Sequence, residues 1–135
     1  MFPWVRLLHD IELRAFDSNA PDIVLAIVAL VKGLFYSASS LNAVEALVGT
    51  YDKATVEALL QEAMCYGVEA HVDDMSLRDI ISNLINIAKN SLCEQGKHEY
   101  IFLKPFEALA LKRRADELNM LALLDIERYM RSNLL

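Results

Sequence analysis

Residues Ile11 to Phe16 alternate with the period of two that marks a β-strand, whereas most of the chain after them repeats with the period of a helix. That contrast constrains the fold more than any other feature. Ile11, Leu13 and Ala15 fall on one side of the strand, and Glu12, Arg14 and Phe16 on the other. A short extended piece is expected around Val68 to Val72, but the segment at 11–16 is the one convincing strand. A single strand leaves its backbone N–H and C=O groups unpaired, so it must join another. Its partner is expected to lie outside this sequence.

The helical reading proceeds from local signals. Asp17-Ser18-Asn19-Ala20-Pro21 combines capping residues with a proline suited to a first helical turn, so a helix is expected from there to about Tyr36. It is apolar nearly all round (Ile23, Val24, Leu25, Ile27, Val28, Leu30, Val31, Leu34, Phe35) and is therefore read as the central, most buried helix. Ser39 or Ser40 is expected to cap a helix from Leu41 to about Val48. Asp52 is expected to cap another, running through Met64 and stopped by Gly67. Ser76-Leu77-Arg78-Asp79 is close to a capping box and opens a long amphipathic helix ended by Gly96. Pro105 begins a shorter helix through Leu109, and a last one is expected from about Ala115 to Arg131. The reading is a mainly α fold: one domain over residues 1–135, with a strand and turn in 1–20 and a bundle of five or six helices in 21–135.

Composition narrows the function classes. The chain has 135 residues, 55% of them hydrophobic, enough for one core. No uninterrupted apolar run reaches the roughly 18 residues a membrane span requires. Charges at Arg6, Asp10, Glu12 and Arg14 stand where a secretory signal would be apolar. A net charge of −6 is unsuited to gripping a phosphate backbone, and Lys112-Arg113-Arg114 reads as a solvated helix end. Neither nucleic acid nor membrane is an expected partner. Cys65 and Cys93 have no metal-site or disulfide-framework spacing and read as small buried hydrophobes in a reducing, cytoplasmic setting. His9, His71 and His98 are dispersed, so no metal site is expected.

Few residues suggest chemistry. Phosphate-binding, dinucleotide-binding, nucleophile-elbow and zinc-protease motifs are absent from the sequence. Asp73-Asp74 is a paired acid that reads better as turn chemistry ahead of a helix cap, as do Glu94 and Glu99 beside Gly96. The strand is the exception, because Glu12 and Arg14 share one face. Either they form an exposed ion pair of little worth, or they line a cleft where the guanidinium grips a carboxylate or phosphate with two parallel hydrogen bonds.

At these residues the chain resembles a known family. Glu12-Leu13-Arg14-Ala15-Phe16-Asp17 with Pro21 is similar to the E-x-R-x-x-D … P segment of glutamate–cysteine ligases and their carboxylate–amine ligase relatives. Lys32-Gly33-Leu34-Phe35-Tyr36, Leu41-Asn42-Ala43 and Ser76-Leu77-Arg78-Asp79-Ile80 resemble later family segments in the same order. So do Leu92 to Gly96, Glu99 to Pro105, and Ala115-Asp116-Glu117-Leu118. The departures are Ser37 in place of an aspartate, Ser91 before Leu92, and Gln95 in place of an arginine.

The resemblance implies an ATP- and magnesium-dependent ligase that joins the γ-carboxylate of glutamate to the amine of cysteine through an acyl phosphate, the first step towards glutathione. It also implies a glutamine-synthetase-like antiparallel sheet to which the strand at 11–16 would belong. Arg14 would contact a substrate carboxylate or the transferred phosphoryl group, and Glu12 is a further candidate. The segments carrying the metal-binding acids precede this region in the family. The resemblance therefore implies a C-terminal portion, inactive alone, whose partner is the missing sheet segment. ATP and magnesium would belong to the complete enzyme. The alternative is a non-catalytic interaction module that pairs with its own copy through the 11–16 strand, giving a homodimer.

Overall fold

The computed structural model describes residues 5–7, 9–14, 16, 19–96 and 98–111. They form a mainly helical body with two small antiparallel hairpins. The strand expected at 11–16 is shorter, Ile11–Leu13 (β2), and its partner lies in this chain: Val5–Leu7 (β1) pairs with it antiparallel. Val5 faces Leu13, Arg6 faces Glu12 and Leu7 faces Ile11. The expectation that the partner lay outside the sequence is thus corrected. Val-Arg-Leu is too short a run to show a period by itself.

Five α-helices follow among the described residues: Pro21–Phe35 (α1), Ala38–Val48 (α2), Lys53–Tyr66 (α3), Leu77–Glu94 (α4) and Lys104–Leu111 (α5). The helix expected at 115–131 lies outside the described residues. Proline stands at the start of α1, where its missing N–H costs nothing. The cap position is Ala20, which has no side-chain acceptor, and not one of the polar residues before it. The second helix begins earlier than expected, at Ala38 behind Ser37, and the buried Ser40 hydroxyl donates to the Ser37 carbonyl at 2.9 Å. Asp52 caps α3 as expected, accepting from the Thr55 N–H at 2.8 Å. Gly67 follows at φ 58°, a left-handed conformation in which a side chain would be strained. Ser76 accepts from the Asp79 N–H at 3.3 Å to start α4, and Gly96 at φ 69° follows its end.

Between α3 and α4 the chain makes a 3-10 turn at Gly67–Glu69 and a second hairpin, His71–Val72 (β3) with Met75–Ser76 (β4). Between α4 and α5 lies a 3-10 helix, His98–Leu103, which the sequence pattern did not suggest. Its Leu103 is fully buried.

The core forms where α1 crosses α4. Ala29, Leu34, Ala88, Leu92 and Leu103 make the buried cluster, with Leu30, Val44, Leu84, Ile87, Tyr100 and Phe106 packed against it. Small residues bring the two helices close: a Cβ on Gly33 would stand 2.6 Å from the Ala88 carbonyl oxygen and 2.7 Å from its Cα. Three ion pairs tie the periphery together. Lys32 of α1 holds Glu99 of the 3-10 helix, Lys89 of α4 holds Glu107 of α5 at 2.7 Å, and Arg78 of α4 holds Glu69. The Glu107 carboxylate, accepting a hydrogen bond from Lys89, raises the lysine's pKa above its ordinary value.

The expectation for α1 is half met. It packs against α2, α4, α5 and the 3-10 helix, and so is central. It is not buried all round: Ile23, Ala26, Ala29, Gly33 and Leu34 are buried, whereas Val24, Leu25, Val28 and Phe35 are exposed. Both cysteines are exposed, which corrects their reading as buried hydrophobes. No single described helix is long and apolar enough to cross a membrane.

Candidate functional site

The alternation of the first hairpin separates its two faces. Val5, Leu7, Ile11 and Leu13 share one, and Arg6 and Glu12 the other. Arg14 follows directly on the side of Glu12. The Glu12 carboxylate is held from two directions: Arg6 approaches one oxygen at 2.7 Å, and Arg14 Nε stands 3.7 Å from the other. The predicted pair Glu12–Arg14 is therefore brought together, and Arg6 joins it. Sequence reasoning missed Arg6 because its strand went unrecognised; the alternation Val5-Arg6-Leu7 opposite Ile11-Glu12-Leu13 was the available signal. Asp17, the acid that followed this pair in the family resemblance, lies outside the described residues.

This face is positively biased and largely open to solvent. The side chains of Arg6, Glu12 and Arg14 keep 46%, 43% and 33% of their exposure, so their mutual attraction is screened and worth little to stability. What such an arrangement offers is recognition. Each guanidinium is a planar fork of N–H donors whose geometry matches the oxygens of a carboxylate or phosphoryl group.

Magnesium, which the resemblance implies for a complete enzyme, does not suit these residues. Among the described residues no cluster of three or more His, Cys, Asp or Glu could hold a metal ion. Glu12 is already engaged by two cations, which oppose a third positive charge beside it.

Asp73 and Asp74 occupy the turn of the second hairpin. Both are exposed, and Asp73 adopts φ 50°, a left-handed conformation that aspartate tolerates in turns. They edge a shallow open groove with Tyr51, Thr55, Val72 and Met75. Their place in the turn favours the turn reading over an acid pair. Glu99 is spent on Lys32, not on chemistry.

No family model matches the chain, and no solved structure matches it significantly. Curated proteins do. A chloroplastic glutamate–cysteine ligase A of Oryza sativa subsp. indica is 27% identical over 109 residues, covering 81% of this chain and 22% of that protein. The chloroplastic glutamate–cysteine ligase of Arabidopsis thaliana is 29% identical over 103 residues, covering 76% of this chain and 20% of that protein. The chain thus spans about a fifth of the length of the curated relatives it matches. It is a distant, fragment-sized relative of the plant glutamate–cysteine ligases.

Proposed function

We propose that this chain is the C-terminal portion of an ATP-dependent carboxylate–amine ligase of the glutamate–cysteine ligase kind, which contributes one arginine-bearing edge to a site completed by another polypeptide segment. The observation that carries this reading is the hairpin. It sets Arg6, Glu12 and Arg14 on one face and leaves Val5, Leu7 and Ile11 uncovered on the other, at 54%, 78% and 69% exposure. A two-stranded hairpin is marginal in water, so this one has the character of a sheet edge awaiting its continuation.

Arg14 is the residue assigned to substrate. Its guanidinium stays charged at every working pH and matches the geometry of a carboxylate or phosphoryl group. In acyl-phosphate chemistry its task is to hold that anionic group while negative charge builds on the transferring oxygens. Glu12 orients Arg14, and Arg6 keeps Glu12 in place. ATP and magnesium belong to the segment that completes the site.

The test exchanges this chain for the corresponding fifth of the rice ligase. The chimera is expected to form γ-glutamylcysteine with ATP, magnesium, glutamate and cysteine, while the purified 135-residue chain forms none. Arg14→Ala is expected to lower turnover of the chimera by about 100-fold, the usual cost of losing one charge-stabilising donor. Activity in the chain alone would defeat the claim of incompleteness. A soluble chimera that is equally active with and without Arg14 would defeat its assigned role.

The uncovered face of the hairpin favours one second reading, a helical module that lost its chemistry and pairs with its own copy through β1 or β2. That reading expects a dimer in solution that Leu7→Lys converts to a monomer.

A further inference from the structure

The exposed side of α1 carries a continuous apolar stripe. Val24, Val28 and Phe35 are 43%, 59% and 44% exposed, and half-buried Val31 joins them. Leu25 and Tyr36 flank the stripe at 48% and 76% exposure. The opposite side of the helix, with Ala26, Ala29 and Gly33, is buried on the core. Steps of four, three and four residues are those of a coiled-coil seam, and they hold the line on one side for about 16 Å at ~1.5 Å per residue. A scattered surface leucine requires no explanation, but a full-length stripe on a central helix does.

We propose that this stripe pairs with the α1 stripe of a second copy, antiparallel about a two-fold axis. Its spacing is four, three, four from either end. A two-fold partner is therefore met in register, Val24 against the partner's Phe35 and Val28 against the partner's Val31. Charge selects the antiparallel arrangement. Helix α1 has two charged residues, Asp22 in its first turn and Lys32 in its last. Turning one helix end for end sets the acidic end of each beside the basic end of the other and opposes the helix dipoles, whereas a parallel pair sets like beside like. The area is also what a small dimer needs. Val24, Leu25, Val28, Phe35 and Tyr36 together expose on the order of 500 Å² per copy, so a symmetric pair removes about 1,000 Å² from water, the floor for a specific interface. The dimer is accordingly a weak one that dissociates on dilution through the micromolar range. This pairing is independent of the ligase reading and of the hairpin's edges.

The test is sedimentation velocity on the full chain from low to high micromolar concentration. A monomer–dimer equilibrium is expected. Val28→Asp alters an exposed position at the centre of the stripe and spares the core. It is expected to weaken association at least about tenfold with the helical circular dichroism signal unchanged, while Leu7→Lys on the hairpin leaves the dimer intact. A monomer at every concentration would overturn the proposal, the stripe then being shielded within the chain or reserved for another segment of a ligase. So would a dimer that Leu7→Lys dissolves and Val28→Asp does not. Cross-linking reads the register and stands even if Val28→Asp misfolds. In a background without the two exposed cysteines (Cys65→Ser and Cys93→Ser), chains carrying Val24→Cys and Phe35→Cys are mixed, oxidised mildly and weighed by mass spectrometry. The mixed disulfide is expected to outrun both symmetric ones; symmetric disulfides forming as fast would overturn the antiparallel pairing.

Discussion

Asp52 shows how much a single side chain settles. Its carboxylate accepts from the Thr55 N–H at 2.8 Å, and hydrogen bonds from Thr55, its side chain first and its N–H second, hold the pKa of Asp52 below the ordinary 3.8. A depressed pKa means that the folded state favours the ionised form. The stabilising share is therefore present above pH 3.8 and is lost as pH falls through the folded value. Asp52→Asn keeps a capping oxygen without the charge. The melting temperature of the native chain should fall towards that of the Asn variant as pH drops below 3.8, whereas Asp52→Ala should be less stable across the whole range. Thermal melts followed by circular dichroism read both. Lys89 works with the opposite sign: its raised pKa makes its share present below pH 10.5 and lost as pH rises beyond it.

At the scale of elements, the pairing of α1 with α4 governs stability. Leu92 is fully buried at their junction, and Leu92→Ala should cost about 2–5 kcal/mol in denaturant titration. Gly33→Ala tests the closeness of the helices. Alanine gains about 1 kcal/mol of helix propensity, but its Cβ would meet Ala88 backbone atoms, an overpacking of about 1–3 kcal/mol. Net destabilisation is expected, and Ala88→Gly should rescue it only in part, because two of the nearest atoms are backbone. Helix boundaries were legible from the sequence wherever a local hydrogen bond or a left-handed turn sets them, as at Asp52, Gly67, Ser76 and Gly96. Elements set by distant contact were not. β1 is three residues long and acquires its meaning from β2, and the 3-10 helix at His98–Leu103 exists to seat Leu103 between helices. For the same reason Glu12 and Arg14 were readable as a pair while Arg6, the closer partner of Glu12, was not. The apolar girth of α1 was legible as well, but a pattern records which residues avoid water and not which neighbour shields them.

At the scale of the whole molecule, the chain joins a helical body to an arginine-bearing hairpin whose Val5, Leu7 and Ile11 are exposed. This division suits a part that contributes an edge to a larger assembly, and it places the stability in one region and the proposed chemistry in another. Substitutions at Arg6 or Arg14 should consequently leave the melting transition nearly unmoved, while those at Leu92 or Gly33 should shift it strongly. The close approach of Gly33 to Ala88 has a further consequence for the connectivity of the body. The two helices that build the core lie on opposite sides of the exposed Asp73–Asp74 turn, so neither half of the chain owns the core. A single protease nick at that turn should leave two peptides that remain bound and co-elute. Produced separately, each should be poorly structured, and mixing them should recover the helical signal: the molecule can be cut at its turn and still reassemble, because its interior was always shared between the two pieces.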